Sequence, residues 1–213
     1  MHETVSRIGT ELKNHIPFTL FGAFTGILIM IIILFSNLFQ QIDPISEKIF
    51  FILHPTHIFL SALVTTTLYL KYSKKNLWLA IIIGYTGSIV IATISDSIIP
   101  YLGEILLDLP HAEPHIGFIE EPFITNIPAF VGISLSFWKG STKFPHAGHV
   151  LISTWASLFH IIMALGVVVT LLQIIGIFIF LFLAVWLPCC TSDIIYPLLF
   201  PNRNYKSESL KMH

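Results

Sequence analysis

Apolar residues fill this chain in long unbroken blocks rather than in a narrow helical stripe or a strand-like alternation. Residues 14–42, 49–70, 76–95, 122–138 and 144–192 contain no Asp, Glu, Lys or Arg. A membrane-spanning helix takes roughly 17–25 residues at about 1.5 Å of rise each. The first four blocks therefore predict one span apiece, near 17–39, 49–70, 77–99 and 122–138. The fifth block is 49 residues long, too long for one helix, and predicts two spans near 150–171 and 174–197. The expected fold is all-α: one polytopic integral membrane domain over residues 1–213, with six transmembrane helices and a polar outer loop between the third and the fourth. The apolar stretch Pro17–Phe39 exceeds the core of a usual signal peptide, and no small-x-small cleavage site follows it. It reads as a retained first span.

Composition agrees with that pattern. Of 213 residues, 54% are hydrophobic and 11% are charged, and mean hydropathy is +0.82. A soluble domain carries about 25% charged residues, so disorder and most soluble enzymes are excluded. A net charge of −1 offers no basic field for nucleic acid. The charges that remain set an orientation. Arg7, Lys13, Lys71, Lys74, Lys75, Lys139, Lys143, Arg203, Lys206 and Lys211 all fall at alternate connections or the ends, while the 100–121 loop holds five carboxylates and no Lys or Arg. The positive-inside rule then places both termini in the cytoplasm. The only cysteines, Cys189 and Cys190, are adjacent, so no disulfide framework is expected.

Ten histidines are the feature that grease alone does not explain. His54 and His57 stand three apart around Pro55, on one face of span two. Proline cannot donate to the helix ladder, so a helix start or kink is expected there. Asp96, in Ser95-Asp96-Ser97, sits near the outer end of span three. Ionisable groups inside a membrane usually face a partner or a cavity. The outer loop adds Glu104, Asp108, His111, Glu113, His115, Glu120 and Glu121. His57 lies about 12 Å from the outer face and His160 about 15 Å from the inner one, which lets His160 join the outer group. A second group is expected on the cytoplasmic side: His146 and His149 before span five, and an unwound polar stretch Pro188-Cys189-Cys190-Thr191-Ser192-Asp193 at the end of span six. His, Cys and Asp are ordinary ligands of zinc and other borderline metals. The plainer account of each residue is local: interfacial histidines bonded to carbonyls, or a carboxylate capped by its own serines.

In their order these motifs resemble the membrane-bound metal-dependent hydrolase family of bacterial and archaeal membranes. Thr56-His57 matches the histidine that opens the family's first motif, and Ser95-Asp96-Ser97-Ile98-Ile99-Pro100 matches an aspartate near a proline. His111/His115 and His146/His149 both fit the paired-histidine motif, and Cys189 stands where the family's late His-x-x-x-Asp pattern has its histidine, before Asp193. The arginine of the paired motif is absent, and an extra span precedes the first motif. The likeness covers residues 54–193 and implies metal-assisted hydrolysis in a prokaryotic cytoplasmic membrane.

The expected function is therefore an integral membrane metal-binding protein, a metal-dependent hydrolase acting on a membrane lipid or small amphiphile. Its divalent ion, zinc or iron, is expected to draw on His54, His57, Asp96, His111, His115, His146, His149, His160, Cys189 and Asp193. Glu113, Glu120 or Glu121 is the expected general base. Two alternatives stand beside it: a transition-metal or proton transporter, and a haem-binding subunit using His57 and His160. A homo-oligomer is compatible with any of them.

Overall fold

The computed structural model describes residues 2–36, 38–72, 76–138, 143–166, 168–192 and 196. Among these every regular element is helical. The first two helices, α1 (His2–Phe35) and α2 (Phe39–Tyr72), are each 34 residues long. Then come α3 (Leu77–Thr93), a π-helical turn (Ile94–Ile98) and α4 (Ile99–Leu106), which together form one continuous rod. A short α5 (Gly117–Glu120) leads into α6 (Pro122–Trp138), and α7 (Lys143–Ala164) and α8 (Leu171–Cys190) complete the bundle.

The exposed surface is apolar to a degree a soluble protein does not show. Phe18, Phe21, Phe24, Leu28 and Ile32 recur every three or four residues along α1 and are all exposed. Meanwhile His54, His57, Asp96, Ser153, Ser157 and His160 are buried inside the bundle. Exposed grease over a polar interior is the arrangement a lipid solvent favours. Among the described residues four helical stretches are long and apolar enough to cross a membrane: His15–Phe35, Phe39–Lys71, Leu77–Leu106 and Leu171–Cys189. Pro122–Trp138 and Gly148–Ala164 are shorter apolar helices.

The central member is α2, packed against α7, α6 and α3. Close approach of α2 and α6 depends on Gly132, where a Cβ would stand 3.0 Å from Ala62 Cβ and against the Phe59 carbonyl. Ala23, Met30, Leu158, Ile162, Ile177 and Leu181 form the largest apolar cluster, where α1, α7 and α8 meet. This leaves the polar interior between α2, α7 and the broken α3–α4 rod.

Two sequence expectations change here. No helix begins at Pro55: α2 runs through both Pro44 and Pro55, which puts His54 and His57 in mid-helix. The stretch from Pro188 is not unwound either. Pro188 lies within α8, and helical structure continues through Ser192. There the Ser192 hydroxyl donates to the Gly87 carbonyl at 2.8 Å and lies 3.2 Å from Ser61 Oγ, tying the end of α8 onto α2 and α3. The neighbours Cys189 and Cys190 are placed by that turn.

Candidate metal centre

The site is organised by Asp96, and the π turn presents it. Pro100 has no N–H for the carbonyl four residues back, that of Asp96 itself. The chain instead takes an i→i+5 register, with the Ile99 N–H donating to the Ile94 carbonyl. Such single π turns recur at functional sites because they re-aim side chains. Here the turn buries Ser95, Asp96 and Ser97.

Four donors converge on the Asp96 carboxylate. Its Oδ2 accepts from His54 Nδ1 at 2.9 Å and His57 Nδ1 at 2.7 Å. Its Oδ1 accepts from Ser95 Oγ at 2.6 Å and Ser153 Oγ at 2.8 Å. A buried carboxylate requires that degree of satisfaction. The consequence falls on the histidines. Because a carboxylate can only accept, both Nδ1 atoms carry the hydrogen, and the tautomer that binds a metal from this position offers its lone pair at Nε2. A carboxylate behind the imidazole is the usual support for a metal-binding histidine.

His57 Nε2 lies 3.9 Å from Cys189 Sγ, and the His57 and His149 rings stack with centroids 5.6 Å apart and planes 3° apart. One ligand atom from each of His57, His149 and Cys189 falls within 4.8 Å of the others, and all three residues are buried. Zinc bonds of about 2.0–2.3 Å in a tetrahedron need donor separations near 3.3–3.8 Å. The donor set thus fits a borderline divalent ion with a modest contraction. Ser153 Oγ, 3.8 Å from Cys189 Sγ, joins this trio to Asp96.

The other expected residues divide. His54 is held by Asp96 with its Nε2 aimed away from the trio, beside Gly117, where a Cβ would stand 3.0 Å from that nitrogen. His160 is not with His57. Its Nδ1 donates to Glu104 Oε1 at 2.6 Å, and His115 packs edge-on to it at 5.6 Å. His111 is exposed on the α4–α6 connection, its backbone N–H bonded to the Ala164 carbonyl. Glu113, Glu120 and Glu121 are exposed on the same connection, Glu120 accepting from the Ile116 N–H and facing His115 at 3.5 Å. Asp193 and the side chains of His146 and Cys190 lie outside the described residues.

The largest change is that members of the two expected groups meet. His149 and Cys189 were assigned to the face opposite His57, yet they share its cluster. The reason is the length of α2: His57 lies past its midpoint, alongside the beginning of the antiparallel α7. Ser153 was not anticipated. Its signal was present, since His149, Ser153, Ser157 and His160 follow one another by four, four and three residues, a polar stripe along an apolar helix. Ser157 uses that position to donate to the Ser95 carbonyl at 3.0 Å, inside the π turn.

Fold and site together define a class: an all-helical protein with membrane-length apolar helices around a buried His/Cys cluster. Comparison with protein-family models, with curated proteins and with solved structures finds no match. The likeness to membrane-bound metal-dependent hydrolases rests on the short motifs alone.

Proposed function

We propose that the chain is a six-span integral membrane metalloprotein that holds a divalent ion on His57, His149 and Cys189, and that it hydrolyses a lipid or small amphiphile. The observation that carries this reading is the meeting of those three donors, from three helices far apart in sequence, in front of a carboxylate that presets His57. Among the described residues the donors number three, the number found in catalytic zinc sites, where the fourth position is left for water or substrate. A bound divalent ion supplies a Lewis acid and a water of lowered pKa, about 7 for zinc. Asp96 holds the His57 tautomer, and Ser153 braces both Asp96 and the thiol side of the site. A cluster enclosed by membrane-length helices favours an amphiphilic substrate over a polar one. With Glu113, Glu120 and Glu121 exposed on the connection, none of them adjoins the donor trio, so the base is sought elsewhere.

Elemental analysis and cobalt substitution of the purified protein test the reading. Stoichiometric zinc or iron, and a thiolate-to-cobalt charge-transfer band, are expected in the wild type. Both are expected to vanish in His57→Ala, His149→Ala and Cys189→Ser. Hydrolysis of amphiphilic ester or phosphodiester probes should be lost on chelation and restored by metal. Absence of bound metal would sink the whole proposal; metal without hydrolysis would leave only the metalloprotein.

Transport of a transition metal or proton is the second reading. It is favoured by the imidazole–carboxylate pairs that continue from Asp96 toward the α4–α6 connection, and liposome flux tests it. Haem is less favoured. His57 and His160 have separate carboxylate partners, and the Phe50 ring packs against both His54 and His160.

A further inference from the structure

A donor trio this deeply buried needs an approach for the ion. His57, His149 and Cys189 are each 2% exposed or less. We propose, resting on that metal centre, that the imidazole and carboxylate groups between the α4–α6 connection and Asp96 form the entry route for the divalent cation.

The groups follow one another inward. At the surface, His115 and Glu120 keep side-chain exposures of 21% and 37%, and their Nδ1 and Oε2 atoms are 3.5 Å apart. The His115 ring meets His160 edge-on at 5.6 Å. His160 is bound to Glu104, and both are buried. Phe50 stands next, edge-on to His160 at 5.4 Å and stacked on His54 at 5.2 Å. His54 then shares Asp96 with His57, a member of the trio.

Three buried atoms along this path have no protein hydrogen-bond partner: His160 Nε2, Glu104 Oε2 and His54 Nε2. Buried polar atoms are ordinarily paired, so three in series call for a purpose. In both histidines a carboxylate faces Nδ1, so Nε2 is the atom left to meet a cation, and an imidazole nitrogen is a donor that borderline cations take. Among the described residues these atoms do not close into a second tight donor set; only the His57, His149 and Cys189 trio does. Separate stations with one or two donors are what conduction needs, since each must bind strongly enough to admit the ion and weakly enough to release it. Phe50 is the apolar step between stations, and Gly117 leaves room for the His54 edge.

Stopped-flow cobalt uptake by the full chain in nanodiscs tests the route, read from the thiolate charge-transfer band. Glu104→Gln and His160→Gln are expected to slow uptake about tenfold, the low end of what a charge-lined path contributes to association. Release into excess chelator should slow by the same factor, leaving stoichiometry and Kd unchanged, because a route residue changes both directions equally. Phe50→Leu should speed both directions. Unchanged rates in both polar variants would overturn the route, as would a changed Kd or lost stoichiometry, which would make these residues ligands or structural supports. If the wild type shows no band, the metal centre itself fails and the route with it.

Discussion

Asp96 accepts four hydrogen bonds on two oxygens, two from imidazoles and two from serine hydroxyls. In the proposed metal centre its role is to hold the His57 ring in place, so Asp96→Asn should weaken zinc binding about 10–100-fold while the protein still folds, the range for an outer partner of a metal-binding histidine. Competition against a chromogenic chelator measures it. Gly117 is the second sensitive position. A Cβ there would lie 2.7 Å from His54 Cδ2, so Gly117→Ala should destabilise the protein by about 1–3 kcal/mol, as overpacking does. A thermal melt in detergent reads that loss, and retention of the wild-type melt would show that His54 moves aside freely. His54, His57 and Asp96 were legible in the sequence because ionisable groups stand out in apolar helices. Ser153 was harder, since a lone serine in a membrane helix is commonplace and only its spacing from His149 and His160 singles it out.

At the scale of elements, the π turn between α3 and α4 decides where Asp96 points. Pro100 adjoins the turn, and without a proline N–H the Asp96 carbonyl lacks its α-helical partner, which weakens the α register there. Pro100→Ala restores the donor and should draw the rod toward a regular α-helix, turning Asp96 away from His54 and His57. The expected outcome is weakened metal affinity with unchanged helix content, checked by pairing circular dichroism with metal titration. Unchanged affinity would show that packing against α7, not the proline, holds the turn. A second element has the same role on the opposite side of the site. The helix α7 lines up His149, Ser153, Ser157 and His160 on one face, so the candidate donor trio, the Asp96 support and the Glu104 pair all draw on it.

For the whole molecule, exposed apolar side chains surround an interior that carries both an apolar cluster and a group of buried polar side chains. With α1, α2 and the α3–α4 rod crossing in turn, residue 13 and residue 113 should lie on opposite faces of the membrane. Single cysteines at Lys13 and Glu113, in a chain whose Cys189 and Cys190 are replaced by serine, should react with an impermeant maleimide from opposite sides of intact vesicles. Labelling from one side would break the proposed six-span topology. The burial of the trio has a further consequence: chelators should strip the ion slowly from folded protein and quickly once detergent and heat open the bundle.

The helical class, the approximate apolar segments and the candidate ionisable residues within them were visible in the linear sequence. Hydrophobic blocks of membrane length and isolated His, Asp and Cys within them are one-dimensional signals that need no partner to be recognised. What only the tertiary structure decided is which of those residues meet. His57, His149 and Cys189 belong to three chain segments, and charge counts at the loops assigned them to opposite faces. The long α2 running through Pro55, the antiparallel α7 beside it, and the π turn before Pro100 bring them to one level and set Asp96 behind them. Such convergence depends on helix register and rotation, and a shift of one residue, about 100° around a helix axis, would scatter the same side chains.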